Sequence, residues 1–132
     1  MQRVWQEYWD INDTGRHFYR IQSQVGGGRV FGRSRKEEVA ITRLRLGHTG
    51  LNSTLKIIGK HPTGNCRSCN LQETVEHVLM ECREYESERG VLKAGLKKEN
   101  IGFTLRSVLQ RTEESNKHVQ RYLRRTGLVE RM

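Results

Sequence analysis

The stretch CRSCNLQETVEHVLMEC, residues 66–82, holds all three cysteines of the 132-residue chain and one of its five histidines. The residues that bind metals follow the spacing Cys66-x2-Cys69-x7-His77-x4-Cys82. Two cysteines separated by two residues form a tight knuckle whose thiolates converge on one point, and both half-spacings match known zinc ligand patterns. Three cysteines and one histidine make a closed tetrahedral set. The stretch therefore predicts one structural Zn²⁺ ion.

The second half of this stretch predicts a short helix that carries His77, capped by either Asn70 or Thr74. His77 and Cys82 are five positions apart, so we expect the helix to loosen before Cys82. Two other histidines, His48 and His61, lie nearby in sequence and are alternative ligands. His61 precedes a proline in a predicted turn, which favours contact with backbone or solvent instead. The remaining alternative is a chance cluster that binds no metal.

Cysteine use and the N-terminus indicate the compartment. Three thiols cannot all pair within the chain, and MQRVWQEYWDIND, residues 1–13, lacks the apolar core of a secretory signal. No apolar run approaches the roughly 20 residues that a membrane-spanning helix needs. We therefore expect a reducing compartment, the nucleus or the cytoplasm, with no membrane association and no disulfides.

Helix-capping patterns recur along the chain, and no segment alternates strictly as a half-buried strand would. Ser34 to Glu37 reads Ser-Arg-Lys-Glu, a capping box, and Gly47 is placed to end the helix that follows. Asn52, Thr104 and Thr112 are expected to cap further helices. Tyr85, Leu92 and Leu96 fall at helical spacing, although Gly90 and Gly95 weaken a helix there. Only 34% of the residues are hydrophobic, so a bound metal would help to hold the helices together. The sequence predicts a mostly α fold, a small helical domain organised around one structural zinc knuckle.

An N-terminal helical arm is predicted to precede this domain. The three glycines at 26–28 favour a linker, which divides the chain into an arm with a glycine-rich linker (residues 1–28) and a helical zinc-binding domain (residues 29–132) with its knuckle at residues 66–82. In the arm, Trp5, Tyr8 and Trp9 follow helical spacing. Such a stripe favours core packing over base stacking, because aromatic rings bury large areas.

The net charge of +9 and the pI of 9.9 favour a polyanionic partner, although a merely soluble basic protein is the alternative. Between residues 29 and 60, eight basic residues face only two acidic ones. A glycine-rich loop, a helix N-terminus and flanking arginines suit phosphate binding, which gives affinity with little sequence choice. The predicted nucleic-acid-binding residues are Arg29, Arg33, Arg35, Lys36, Arg43, Arg45, Lys56 and Lys60. The C-terminal Arg121, Arg124 and Arg125 are either a second phosphate contact or a solvated helix end, and the interpretation as a helix end is favoured, because positive charge there needs no partner.

The segment RLRLGHTGLNSTLKIIGKHPTGNCRSCNLQETVEHVLMEC, residues 43–82, resembles the C-terminal zinc-binding region of non-LTR retrotransposon polyproteins. In similar elements this region follows a reverse transcriptase and an RNase H domain. WQEYWDINDTGRHFYRIQ, residues 5–22, looks like the linker after the RNase H domain. The resemblance covers most of residues 2–90, and residues 91–132 carry no motif. It implies nucleic-acid handling, with the zinc-ligand roles taken by Cys66, Cys69, His77 and Cys82.

Catalysis is not expected in this chain. Polymerase and RNase H chemistry both need clustered carboxylates that hold two metal ions, and the only aspartates are Asp10 and Asp13. Glu76 beside His77 suggests a zinc deaminase at first sight, but four protein ligands leave no position for the reactive water. We therefore expect no enzyme activity and no small-molecule substrate.

Two functions from different classes remain. The first is a non-catalytic zinc module that binds RNA or single-stranded DNA mainly through backbone charge. The second is a zinc-stabilised adaptor that contacts a protein partner through its apolar helix faces, with Trp5 and Trp9 in the contact.

Overall fold

The fold is described from a computed structural model, which covers residues 2–24 and 34–132. Within these ranges the chain forms helices and no β-strand; Asn65 and Gln72 form an isolated antiparallel bridge. The prediction of a mostly α fold is confirmed. The elements are α1 (Gln2–Ile11), α2 (Arg16–Ile21), α3 (Arg35–Leu46), α4 (Asn52–Ile57), a π-helix (His77–Glu81), a 3-10 turn (Arg83–Tyr85), α5 (Glu86–Lys98), α6 (Leu105–Val108), α7 (Glu113–Thr126) and a terminal 3-10 turn (Leu128–Arg131).

Three of the predicted caps start helices. The side chains of Ser34, Thr104 and Thr112 each accept a hydrogen bond from the backbone N–H three residues later, at 3.1–3.3 Å. The predicted cap at Asn52 is wrong, because this residue is the first of α4 and its side chain donates to the Asn65 carbonyl. The Glu73 carboxylate accepts from the Asn52 N–H at 2.9 Å, so a distant residue caps α4.

The core lies where α5 packs against α7 and α3 packs against α7, while α2 packs against both α3 and α6. Its buried side chains come from α2, α3, the π-helix, α5, α6, α7 and several connecting residues, whereas α4 contributes none. Close approach of α5 to α7 depends on Gly95, because a Cβ built there would lie 2.5 Å from the His118 ring. This position explains why a helix tolerates a residue of poor helical propensity.

The N-terminal arm corrects one interpretation of the sequence. Trp5 and Tyr8 are each 60% exposed and α1 buries no residue, so core packing is wrong for both rings. Trp9, one turn after Trp5, is half-buried instead, because its ring contacts Phe18 and its indole N–H donates to the Gln22 carbonyl. Hydrophobic spacing alone predicted an apolar face but could not show whether another element covers it.

The glycine linker predicted at residues 26–28 lies outside the described residues, and the division of the chain after residue 28 stays a prediction. Ile21 of α2 is 4% exposed and belongs to the core. None of the described helices is long and apolar enough to cross a membrane.

Candidate metal centre

The structure brings together the four residues that the spacing predicted as ligands. Donor atoms of Cys66, Cys69, His77 and Cys82 all lie within 4.8 Å of one another. Cys66, His77 and Cys82 are buried, and Cys69 is half-buried. These four residues are therefore close enough to bind one metal ion.

The sulfur positions fit a tetrahedral ion better than any covalent link. Cys82 Sγ lies 3.7 Å from Cys66 Sγ and 3.8 Å from Cys69 Sγ. A tetrahedron with metal–sulfur bonds of about 2.3 Å places two sulfurs about 3.8 Å apart. A disulfide would need a separation of about 2.05 Å. The geometry matches a set of thiolates around a common centre.

The imidazole of His77 independently indicates a metal site. It is buried, and neither ring nitrogen has a hydrogen-bond partner among residues 2–24 and 34–132. The closest carboxylate oxygen recorded for it, from Glu81, lies 3.8 Å from Nδ1. A buried polar atom left unpaired is costly, so the ring nitrogens require a partner. A metal ion at the centre of the cluster would be that partner for one of them.

The knuckle at Cys66 and Cys69 is built by a tight backbone loop. The Cys66 N–H donates to the Leu71 carbonyl at 2.6 Å, and the Asn70 N–H donates back to the Cys66 carbonyl at 2.9 Å. Asn70 has a φ of 56°, a left-handed conformation that asparagine tolerates better than most residues. Asn70 therefore closes the knuckle and does not cap the next helix.

Thr74 caps the helix instead, and this helix is a π-helix. The Thr74 hydroxyl accepts from the His77 N–H at 3.1 Å, and the Cys82 N–H donates to the His77 carbonyl at 2.8 Å. The second bond joins residues five apart, the π-helical pattern. In an α-helix, residues five apart point about 140° away from each other. The wider turn is thus the loosening that the spacing of His77 and Cys82 required.

Two buried side chains on α5 and α7 hold this π-helix in place. Arg89, which is 5% exposed, donates to the Leu79 carbonyl at 3.1 Å and to the Cys82 carbonyl at 2.6 Å. The Tyr122 hydroxyl donates to the Val78 carbonyl. A π-turn lacks the regular backbone hydrogen bonds between residues four apart that an α-helix has, so some of its carbonyls need other donors, and Arg89 and Tyr122 supply them.

The protein environment treats the thiols differently. Burial raises the pKa of the Cys82 thiol to about 12, because a thiolate there would lose its hydration. The Arg83 N–H, which lies 3.5 Å from Cys69 Sγ, lowers the pKa of the Cys69 thiol. A divalent cation would favour the thiolate at every cysteine of the cluster and offset the burial of Cys82.

The two alternative histidines are not part of the cluster. His48 is exposed on the surface. Nδ1 of His61 accepts from the backbone N–H groups of Thr63 and Gly64, at 3.3 and 2.9 Å. The predicted turn at His61 therefore uses its ring for backbone contacts.

The predicted phosphate-binding residues divide into three groups. Arg29 and Arg33 lie outside the described residues. Arg45 corrects the prediction, since it is 4% exposed and donates to the Leu109 carbonyl and to Gln22 Oε1. A buried guanidinium that holds loop carbonyls is a structural group and not a surface cation. The exposed members are Arg35, Lys36, Arg43, Lys56 and Lys60.

Some exposed cations already contact the protein. Lys36 pairs with Glu130 at 2.7 Å, and Arg43 donates to the Met132 carbonyl at 2.8 Å. Exposed ion pairs contribute only about 0–1 kcal/mol, so a phosphate group can replace the carboxylate at little cost. In the C-terminal trio, Arg124 pairs with Glu37 of α3, a contact that the interpretation as a solvated helix end did not include.

Sequence reasoning missed Arg89 and the role of the Tyr122 hydroxyl. A lone arginine in a helix is expected on the surface, and Tyr122 falls with Val119 and Leu123 on the apolar face of its helix, which gives no sign of a use for its hydroxyl. The one available signal was the spacing of His77 and Cys82, which required an irregular helix and hence extra hydrogen-bond donors.

Comparison with known proteins gives one relative. The chain is 33% identical over 95 residues to the retrovirus-related Pol polyprotein from type-1 retrotransposable element R1 2 of Nasonia vitripennis. The match covers 70% of this chain and 22% of the polyprotein, so the chain spans about a fifth of that relative's length. No model of a known protein family matches the chain. No solved structure matches it. The similarity supports an origin from a retrotransposon.

Proposed function

We propose that this chain is a non-catalytic zinc module that binds nucleic acid, with RNA or single-stranded DNA as the preferred form. The observation that carries the nucleic-acid part is the uneven charge. The chain has 24 basic against 15 acidic side chains, and five of the cations predicted to bind phosphate are exposed. The similarity to a retrotransposon polyprotein supports the same proposal, because such elements replicate through nucleic acids.

The metal in this proposal is zinc in a structural role. Thiolate and imidazole ligands together suit Zn²⁺, whereas the hard cations Mg²⁺ and Ca²⁺ prefer oxygen. Four protein ligands complete a tetrahedral shell and leave no position for a reactive water. The ligands would be Cys66, Cys69, His77 and Cys82, and the ion would join the knuckle to the π-helix.

The position of the exposed cations fits a partner recognised through its backbone. Arg35, Lys36 and Arg43 lie on α3, whose opposite face buries Ile41 and Leu44 in the core. A rigid helix thus presents the charges, and phosphates are the partners that such charges attract without base reading.

A salt titration tests the proposal. The affinity of the 132-residue chain for a fluorescent 20-nucleotide single strand is measured between 50 and 300 mM KCl. Each phosphate contact on a single strand contributes a slope of about −0.7 in log affinity against log salt, so several contacts predict a slope of about −3. Replacing Lys56 and Lys60 by glutamate should make the slope less steep. The control replaces Lys97 and Lys98 of α5 by glutamate and should leave the slope unchanged. A salt-independent affinity, or no binding at all, contradicts the proposal.

A second function, a zinc-stabilised protein adaptor, is favoured by the outer face of α1. Val4, Trp5, Tyr8 and Ile11 share this face and are 60–83% exposed. Large exposed apolar patches commonly mark protein contacts. If Trp5→Ser together with Tyr8→Ser abolishes function while charge reversal on α3 leaves it intact, the adaptor replaces nucleic-acid binding as the function.

A further inference from the structure

A groove of about 600 Å³ runs between α2 and α3, away from the metal centre. One wall is a single face of α3, since its residues recur at intervals of three and four. Phe18 of α2 forms part of the other wall, and Arg111, between α6 and α7, closes one side. The residues of α3 that line the groove are Arg35, Glu38, Val39, Thr42, Arg43, Arg45 and Leu46.

The described lining of the groove is strongly positive. Four arginines and one carboxylate, that of Glu38, line it. The buried guanidinium of Arg45 is held by the Leu109 carbonyl and Gln22 Oε1, so it adds positive potential beneath the groove, and Arg35, Arg43 and Arg111 are the arginines that would contact an anion. Burial, together with the nearby charge of Arg111, lowers the pKa of Arg45 to about 10. Like charges gathered along one groove favour the binding of an anion there.

The groove is also apolar, with Phe18, Val39 and Leu46 as its hydrophobic surfaces. The guanidinium of Arg45 lies over the Phe18 ring, 5.4 Å from its centroid, and fixes that ring in place. A held aromatic ring beside cations is the combination that stacks bases and binds phosphates of single strands.

We propose that this groove accepts one unstacked nucleotide of a single-stranded nucleic acid, with its base against Phe18 and its phosphate among the arginines. The inference rests on the proposed nucleic-acid binding and assigns a place to it. A volume of about 600 Å³ lies within the range of small-ligand sites, so it suits a nucleotide and not a paired duplex. A duplex would have to flip a base out to enter.

The flat Phe18 ring and the planar guanidinium groups of the groove favour a nucleic acid over an acidic peptide, because both can stack on a base. Arginine is the residue best matched to phosphate, and it also stacks on planar rings. A peptide carboxylate would satisfy the charge, but a peptide has no planar base to place on Phe18.

The experiment measures binding of a fluorescent 12-nucleotide oligouridylate, a duplex of equal length, and an acidic peptide to the 132-residue chain. Thr42→Glu puts a negative charge on the groove wall at an exposed helical position. Its matched control is Ser87→Glu, the same charge change at an exposed position of α5. Phe18→Leu removes the aromatic face, with Phe103→Leu as its control. Circular dichroism melts establish that each variant is folded.

Thr42→Glu should weaken single-strand binding roughly tenfold, because a carboxylate a few ångströms from a phosphate repels it. Phe18→Leu should weaken it at least about fivefold, since stacking on an aromatic ring is worth about that much per base or more. Both controls should stay within about twofold, and the duplex should bind more weakly than the single strand. Equal affinities of Thr42→Glu and Ser87→Glu for the strand would overturn the groove proposal alone, leaving nucleic-acid binding elsewhere.

Other outcomes separate the two proposals further. Failure of the unaltered chain to bind any oligonucleotide would overturn the proposed function and the groove proposal together. Binding of the acidic peptide that Thr42→Glu abolishes, with oligonucleotide binding unaffected by this substitution, would overturn the groove proposal in favour of a protein ligand.

Discussion

Replacing Arg89 by methionine should destabilise the protein by removing the donors that hold the π-helix. The side chain is 5% exposed and donates to two carbonyls, those of Leu79 and Cys82. Methionine keeps the length and the apolar stem of arginine but carries no hydrogen-bond donor. The substitution therefore removes the Arg89 donor from two carbonyls, of which that of Cys82 keeps a long hydrogen bond from the Tyr85 N–H at 3.4 Å.

The magnitude follows from these two bonds. A buried acceptor left unsatisfied costs about 1–3 kcal/mol, so two would cost at most about 2–6 kcal/mol, and the long bond from the Tyr85 N–H reduces the share of the Cys82 carbonyl. Part of this cost is recovered because the buried guanidinium no longer has to be desolvated. We expect a loss of about 2–4 kcal/mol in the free energy of unfolding, a large share of the 5–15 kcal/mol typical of a domain.

The measurement is urea denaturation followed by circular dichroism, in buffer that contains zinc. Lys97→Met is the control, because it makes the same kind of change at an exposed position of α5 and should alter stability by less than about 0.5 kcal/mol. Because Arg89 donates to the carbonyl of Cys82, a predicted metal ligand, the substitution should have a second effect. Zinc affinity, measured by competition with a chromophoric chelator, should fall about 10–100-fold, as for partners that orient metal ligands.

Equal stability of Arg89→Met and Lys97→Met would refute the role assigned to Arg89. A stability loss without any change in zinc affinity would refute only the coupling between Arg89 and the metal centre. In that case the hydrogen bonds would support the core, and the position of the Cys82 thiol would not depend on them.

Four further predictions test the metal centre, the packing and a helix cap. Removal of zinc by a strong chelator should lower the melting temperature sharply, since the binding free energy of structural zinc is roughly 10–16 kcal/mol. Elemental analysis should find one zinc per chain in the unaltered protein and in His61→Ala, and none in Cys69→Ser. Acidification should release the metal, because protons compete for the thiolates and the imidazole. On α5, Gly95→Ala should lower the free energy of unfolding by about 1–3 kcal/mol, because the added methyl group would overlap the His118 imidazole of α7. Gly90→Ala, whose Cβ meets nothing within 4 Å, should raise it by about 0.5–1 kcal/mol. Urea denaturation of both variants would contradict the packing if the two changes in the free energy of unfolding had the same sign. Thr112→Ala should cost about 1 kcal/mol in the same assay by removing the cap of α7, and an unchanged midpoint would exclude that role.

Features that depend on neighbouring residues in the chain could be predicted from the sequence. Caps such as Ser34 and Thr104 act on N–H groups three residues away, and Gly47 ends its helix through its own left-handed conformation, with a φ of 81°. The ligand spacing is equally local at the Cys66 knuckle. The helical class and the set of residues that form the cluster were predictable for this reason.

Features that depend on distant residues required the tertiary structure. Arg45 lies in a basic segment and was predicted to bind phosphate, yet its partner Leu109 is 64 positions away and buries it. The Tyr122 hydroxyl reaches the Val78 carbonyl across 44 positions, which lets the π-helix form. Trp5 has the spacing of a core residue but no element covers it among the described residues. Burial depends on which surfaces meet after the chain folds, and no pattern within a single helix contains that information.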